Sequence, residues 1–363
     1  MEYYNNLLDL MIEKKATDIF LRVGSNIRGR INTSVEVIRD EVLTIETMSK
    51  IVEAITDDAG KEKLKSCRAC EFTHWHHDYP EKDCWRFRVG IFYQRNTPAI
   101  VVRKIDLNIP DFRSLNLPPE LLKNLSNERR GIVLLTGITG SGKSTTIASM
   151  MKYINENLKR HVLTVEEPIE FTFKDKKSVI NQRELGIDVG SYNDALKQFA
   201  LHSPDVIYIG NIRDAETCHA ALTAAETGVL VFSTLHTVNA TSTVERIINF
   251  FPPHHHALIM DQLSFLLKGV LSQRLLPLAD GSGLIPAYEA MVLSPSVSRL
   301  IRENKIWEIP RYLAEGDIYR MKTFHQCLVE LVESGKVTFN TAIEYADKKE
   351  ELELALRNKG LMQ

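Results

Sequence analysis

The sequence predicts an α/β chain in two domains, a small mixed α/β domain followed by a parallel-sheet nucleotide-binding domain with a helical C-terminal region. Three observations carry that expectation. At 363 residues the chain is long enough to bury two cores of ordinary size. After about a hundred residues it is interrupted by a linker marked by Pro110, Pro118 and Pro119. Beyond the linker, Gly137 to Ser144 reads GITGSGKS between an apolar strand and a helix start, a turn whose glycines and helix N-terminus suit phosphate.

The opening segment places Tyr4, Leu7, Leu8, Met11 and Ile12 at helical spacing, and the strand-like run DIFLRV follows from Asp18. Trp85, Phe87, Val89, Ile91 and Tyr93 then alternate strictly. With TPAIVVRKI after them, they predict an antiparallel hairpin with one buried face. Proline fixes φ, removes a donor and keeps the preceding residue out of helix, so the domain boundary is placed near Ile109, giving domains 1–109 and 110–363. From Gly131 the runs IVLLT, HVLTV, DVIYIG and LVFSTL alternate with helical segments, the pattern of parallel strands covered on both faces by crossover helices. From about Pro252 the reading is helical.

With 45 basic against 47 acidic residues, the chain is neither a bulk electrostatic nucleic-acid binder nor an acidic disordered chain, so direct binding of DNA is not expected. Its five cysteines, odd in number and thinly spread, suit a reducing cytosol. The N-terminal run MEYYNNLLDLMIEKK mixes acids and amides into its apolar stretch, and no segment reaches roughly 18 uninterrupted apolar residues. The expectation is no signal peptide and no membrane span, with recruitment for any work at a membrane. Cys67-x-x-Cys70 upstream of His74, His76, His77 and Cys84 raises a zinc site; a single CxxC with irregular histidine spacing suits buried or incidental thiols better. The run His254 to His256 after two prolines reads as a solvated loop.

The chemistry concentrates in four places. Gly137, Thr139, Gly140, Ser141, Gly142, Lys143, Ser144 and Thr145 form the phosphate turn; its backbone amides cradle phosphate oxygens, Lys143 reaches the β and γ phosphates, and the Ser144 hydroxyl ligates Mg²⁺. The ligand implied is ATP with Mg²⁺. A second apolar strand ends in Asn211, where a P-loop ATPase usually presents a carboxylate. An amide hydrogen-bonds a water but cannot take its proton, so either hydrolysis is slowed or another carboxylate carries that step. At a third strand end, TVEEPIEF supplies Glu166, Glu167 and Glu170, placed to position Mg²⁺ and water or else forming a solvated acidic loop. Arg86 and Arg88 alternate with hydrophobic residues on the hairpin, and Arg95 and Arg103 follow. On an exposed face they are ordinary solvation; in a ring of subunits such arginines can reach a neighbour's nucleotide.

In order, GITGSGKSTT, TVEEPIEF, DVIYIGNIRDAET and LTAAETGVLVFSTLHT resemble the Walker A, Asp box, Walker B and His box of the secretion ATPases of type IV pili, and among them the retraction ATPases of the PilT/PilU family. The resemblance covers nearly the whole chain. The run INFFPPHHHALIMDQLSFLLKGVLSQRLLPLADGSG and the tail MKTFHQCLVELVESGKVTFNTAIEYAD lie closer to the PilU side. It implies a PAS-like N-terminal domain and a RecA-like ATPase domain, with ATP and Mg²⁺ at Lys143 and Ser144. Glu170 matches the Asp-box glutamate, Asn211 falls at the Walker B glutamate, and His236 matches the second His-box histidine. Val229 stands in place of the first His-box histidine. The resemblance also places Arg86, Arg88 and Arg103 near a nucleotide, and it leaves Glu170 as the candidate base.

At the level of the assembly it implies a cytoplasmic homo-hexamer at the inner face of the inner membrane, docked on the pilus platform protein and powering or assisting retraction. The cysteines of the four-cysteine zinc module that assembly ATPases carry after the position of Gln273 are absent here, which speaks against an extension motor. Asn211 and Val229 keep open a weakly hydrolysing accessory subunit that depends on a PilT-type ATPase. A related secretion ATPase with other cargo shares the same motifs.

Overall fold

The computed structural model describes residues 1–31, 34–77, 85–105 and 108–361, in two compact units, Met1–Asn108 and Ile109–Gln363. Cys84 lies outside the described residues. The first unit is a six-stranded antiparallel sheet of β1 (Asp18–Arg22), β2 (Asn26–Ile31), β3 (Ser34–Val42), β4 (Ala69–Trp75), β5 (Arg86–Gln94) and β6 (Thr97–Ile105). The strands lie in the order β3-β2-β1-β6-β5-β4. Strand alternation sorts β5 cleanly: Phe87, Val89 and Ile91 point into a core with Tyr4, Leu7, Leu8 and Met11 of the helix Glu2–Glu13, while Arg86 and Arg88 take the other face. The expected hairpin is β5–β6, turning at Arg95 and Asn96, both with positive φ as a two-residue hairpin turn requires. Register sets Arg30, Asp18, Arg103, Arg88 and Thr73 side by side across five strands of that second face.

The second unit is built on a RecA-like sheet of seven strands: β7 (Gly131–Thr136), β8 (His161–Glu166), β9 (Val179–Glu184), β10 (Val206–Ile209), β11 (Leu230–Leu235), β12 (Leu267–Pro277) and β13 (Leu284–Val292). Their order is β13-β12-β7-β11-β10-β8-β9, parallel throughout except for β13 against β12. β7, β10 and β11 are buried along their whole length. They sit between helix Lys143–Asn157 on one face and helices Ala215–Glu226 and Ala240–Asn249 on the other, which is why those strands read as unbroken apolar runs.

The region expected to be helical from about Pro252 contains helices, and it also contains β12 and β13. The run LLKGVLSQRLLP is apolar without a decisive period, and pairing with β7 settles it as strand. From Pro295 the chain is helical in character, and Phe324–Glu333, Phe339–Tyr345 and Lys349–Asn358 share a core with Leu276, Ile285 and Ala287 of the β12–β13 pair. No helix among the described residues is long and apolar enough to cross a membrane.

Candidate nucleotide site

The phosphate loop leaves β7 at Thr136 and turns through three glycines with positive φ, Gly137, Gly140 and Gly142. Gly137 has no substitute: a Cβ there would stand 2.4 Å from the carbonyl oxygen of Gln273 on β12. The Thr136 and Ser272 hydroxyls bond at 2.8 Å and tie β7 to β12 beneath the loop. Gly142 caps the helix Lys143–Asn157, whose leading amides have no partner within the helix and face outward as donors. The Lys143 ammonium donates to the carbonyls of Gly137 at 2.8 Å and Ile138 at 2.9 Å.

The carboxyl ends of β7, β8, β10 and β11 converge on one cavity of about 280 Å³, the position at which open parallel sheets hold ligands. The loop contributes Thr139, Gly140, Lys143 and Ser144; the end of β8 contributes Glu166, Glu167 and Glu170; the ends of β10 and β11 contribute Asn211 and His236. Ser141 is buried just behind, its hydroxyl without a hydrogen-bond partner among the described residues; Gly137, Gly142 and Thr145 support the turn without lining the cavity.

The three carboxylates differ in what they are committed to. Glu166 is buried and accepts hydrogen bonds from the Thr164 hydroxyl at 2.6 Å and the Gln182 amide at 3.2 Å. Glu167 pairs with Arg213 at 2.9 Å. Glu170 is exposed to the cavity mouth and makes no hydrogen bond or ion pair among the described residues. Burial pulls the Lys143 ammonium below the usual lysine range, and the Glu170 charge opposes that shift.

Asn211 is only 8% exposed, and its Oδ1 has no hydrogen-bond partner among the described residues. The carboxylate nearest to it in sequence, Asp214, is already used: it accepts from the Thr217 amide at 2.8 Å as the cap of helix Ala215–Glu226. Partial burial, followed by the charges of Lys143 and Arg213, holds the His236 imidazole below its ordinary pKa, so at neutral pH it is uncharged. Tyr192, pushed up to about 12 by burial and by Glu167, is a neutral phenol on the same wall. Ser144, Glu166 and Glu170 offer the cavity hard oxygen donors, a set that fits Mg²⁺.

Arg213, Tyr192, Tyr208 and Gln182 escaped the sequence reading. Arg213 stands two residues after Asn211 in a segment already singled out, so its signal was spacing; the tyrosines and Gln182 are recruited by strand neighbours, which spacing does not show. Arg86, Arg88 and Arg103 belong to the first unit. Arg86 is buried, donates to the Thr73 hydroxyl at 2.7 Å and packs over Trp75. Arg88 pairs with Glu71 at 2.6 Å. Arg103 donates through Nε to the buried Asp18 at 2.7 Å while its side chain stays 66% exposed. Cys67 and Cys70, the former exposed and the latter buried, join no cluster of metal-ligating side chains among the described residues. Asp9, His76 and His77 do form one, with ligand atoms within 4.8 Å.

Residues 1–284 match the family model described as "Type II/IV secretion system protein". The chain belongs to this family. Among secretion ATPases it is 35% identical over 354 residues to the type IV pilus ATPase PilU of Pseudomonas aeruginosa, spanning 98% of this chain and 91% of that protein. To PilT of the same organism it is 35% identical, over 94% of this chain and 97% of the relative. The crystal structure of the pilus retraction motor PilT with bound ADP superposes with a TM-score of 0.88 at 38% identity, covering 96% of this chain and 98% of that one. The Legionella pneumophila ATPase DotB, at 24% identity and a TM-score of 0.78, shares the fold.

The structure separates the two positions expected to form a His box. His236 follows the carboxyl end of β11, in the cavity, whereas Val229 precedes the first residue of that strand. Six strand residues, about 20 Å, lie between them. Val229 is therefore remote from this chain's own phosphate loop, whereas Asn211 lines the same cavity as the loop.

Proposed function

We propose that this secretion ATPase hydrolyses ATP with Mg²⁺ as a homo-hexameric motor subunit that powers or assists type IV pilus retraction. In this reading it is recruited to the inner face of the inner membrane by the pilus platform protein. The observation that carries the reading is the single cavity in which Lys143 and Ser144 meet Glu170, Asn211 and His236 at the carboxyl ends of four strands. Lys143 and the leading amides of its helix bind the phosphates; Ser144 and the neighbouring carboxylates would hold Mg²⁺, which screens phosphate charge when bound. Asn211 orients the attacking water by accepting through Oδ1, and Glu170, the carboxylate without another commitment, takes its proton. Neutral His236 donates toward the phosphate end. In the ring, Arg88 and Arg103 of a neighbouring copy approach the nucleotide, Arg103 oriented by Asp18; Arg86 supports the strand beneath them.

A second reading has an observation of its own. An amide at Asn211 positions water without activating it, which favours a slow hydrolyser working beside a PilT-type ATPase. The steady-state ATPase rate of purified wild type, Asn211→Glu and Glu170→Gln discriminates them. The motor reading expects Glu170→Gln to lower kcat by about 100-fold or more with little change in KM. The accessory reading expects a slow wild type that Asn211→Glu accelerates about tenfold or more. Equal rates for wild type and Glu170→Gln remove Glu170 as the base.

A further inference from the structure

A second cavity, of about 690 Å³, opens at the end of the seven-stranded sheet opposite the phosphate loop. β7 begins at this cavity and ends at the nucleotide site, so its six residues, about 20 Å, separate the two. Arg129, Arg130, Lys268 and Arg320 line it, against a single carboxylate, Glu128. None of the four cations forms an ion pair among the described residues. Nor do they serve the carbonyl end of helix Pro119–Asn127 beside them, because Arg160 already does so, donating to Glu128 O at 2.7 Å and Asn127 O at 3.1 Å.

Lys268 is held in place. Its stem crosses Gly131, where a Cβ would stand 2.6 Å from Lys268 Cε and 2.8 Å from its Cγ, so the glycine is what lets the ammonium reach this end of the sheet. Ile318, 93% exposed, and Tyr319 stand on the rim beside Arg320. Four like charges sharing one concavity repel one another, and a multivalent anion relieves that repulsion while engaging the two-pronged guanidinium groups.

We propose that this cavity binds a phosphate-bearing anion, the chemistry shared by a free polyphosphate and a phospholipid headgroup. Its use is separate from ATP hydrolysis, and its occupant meets the chain at the opposite end of β7. Two probes test it on the full chain without an affinity tag. Inorganic tripolyphosphate is titrated calorimetrically into Lys143→Ala protein, in which the phosphate loop is disabled. Wild type is sedimented with phosphatidylcholine vesicles containing phosphatidylglycerol, and with pure phosphatidylcholine.

One tripolyphosphate per chain, weakened about tenfold or more when Arg129→Ala and Arg320→Ala are added, assigns a free polyanion. Co-sedimentation only with the anionic vesicles, lost in the same double variant, assigns a lipid headgroup. Both arginines are exposed, so an unchanged melting temperature checks the variant's fold, and Glu128→Gln tightens whichever probe binds. Failure of both probes to bind, or binding of both that the double variant and Glu128→Gln leave unchanged, overturns the proposal.

Discussion

His236 shows how a single residue in the nucleotide cavity couples charge to pH. Partial burial, and then the cationic neighbours Lys143 and Arg213, disfavour its charged form. The folded-state pKa therefore lies below the unfolded value of about 6.5, and the unfolded chain takes up that proton first as the pH falls. Its contribution to stability is intact above about pH 6.5 and is lost below it, until the folded imidazole itself protonates. Urea midpoints measured at pH 7.5 and 5.5 are expected to fall less for His236→Gln than for wild type; an equal fall removes His236 from the acid response. Asn211 is the contrasting case, a buried amide that titrates nowhere and adds no pH limb of its own, whereas Asn211→Glu introduces a carboxylate that titrates.

At the scale of elements, the decisive piece is the β12–β13 pair, because it carries both the floor of the phosphate loop and the seat of the C-terminal helices. Arg274 on β12 donates to Tyr345 O at 2.7 Å and to both oxygens of Asp347 at 2.7 and 2.8 Å, with its guanidinium over Phe324. Removing it breaks a charge-assisted contact, in which Nη2 reaches both oxygens of Asp347, and leaves the Tyr345 carbonyl without its donor. Arg274→Ala is expected to cost about 2 kcal/mol, read from the urea midpoint. A loss below about 0.5 kcal/mol would mean that the apolar contacts of Leu276 and Ile285 hold the helices alone. This pair was not legible in sequence, since an apolar run beside a helix-rich tail has no distinctive period. Nor was β9, whose polar VINQRE is an edge strand with little to bury. β7, β8, β10 and β11 were legible because burial on both faces forces continuous apolar runs.

For the whole molecule, the proposed assembly makes a prediction that separates chemistry within a subunit from chemistry between subunits. Hydrogen exchange with Mg-ATP is expected to slow amides at 137–147, 166–171, 210–213 and 234–236 at any protein concentration. Protection of β5 and β6, where Arg88 and Arg103 lie, is expected only when the hexamer is populated; its appearance in a monomer contradicts the assignment of those arginines to a neighbour. Lys143, Ser144, Glu170, Asn211 and His236 could be found from sequence because each follows an apolar strand, and parallel strands bring their carboxyl ends together. Arg213 could have been, from its spacing after Asn211; Tyr192 could not, because it enters from the start of helix Tyr192–Phe199. Adjacent residues of β12 complete the picture: Gln273 lies against Gly137, and Arg274 clamps the C-terminal helices. In mechanical terms one strand is shared by the phosphate loop and those helices, so in the proposed motor a displacement of the loop would reach the helices through β12 directly.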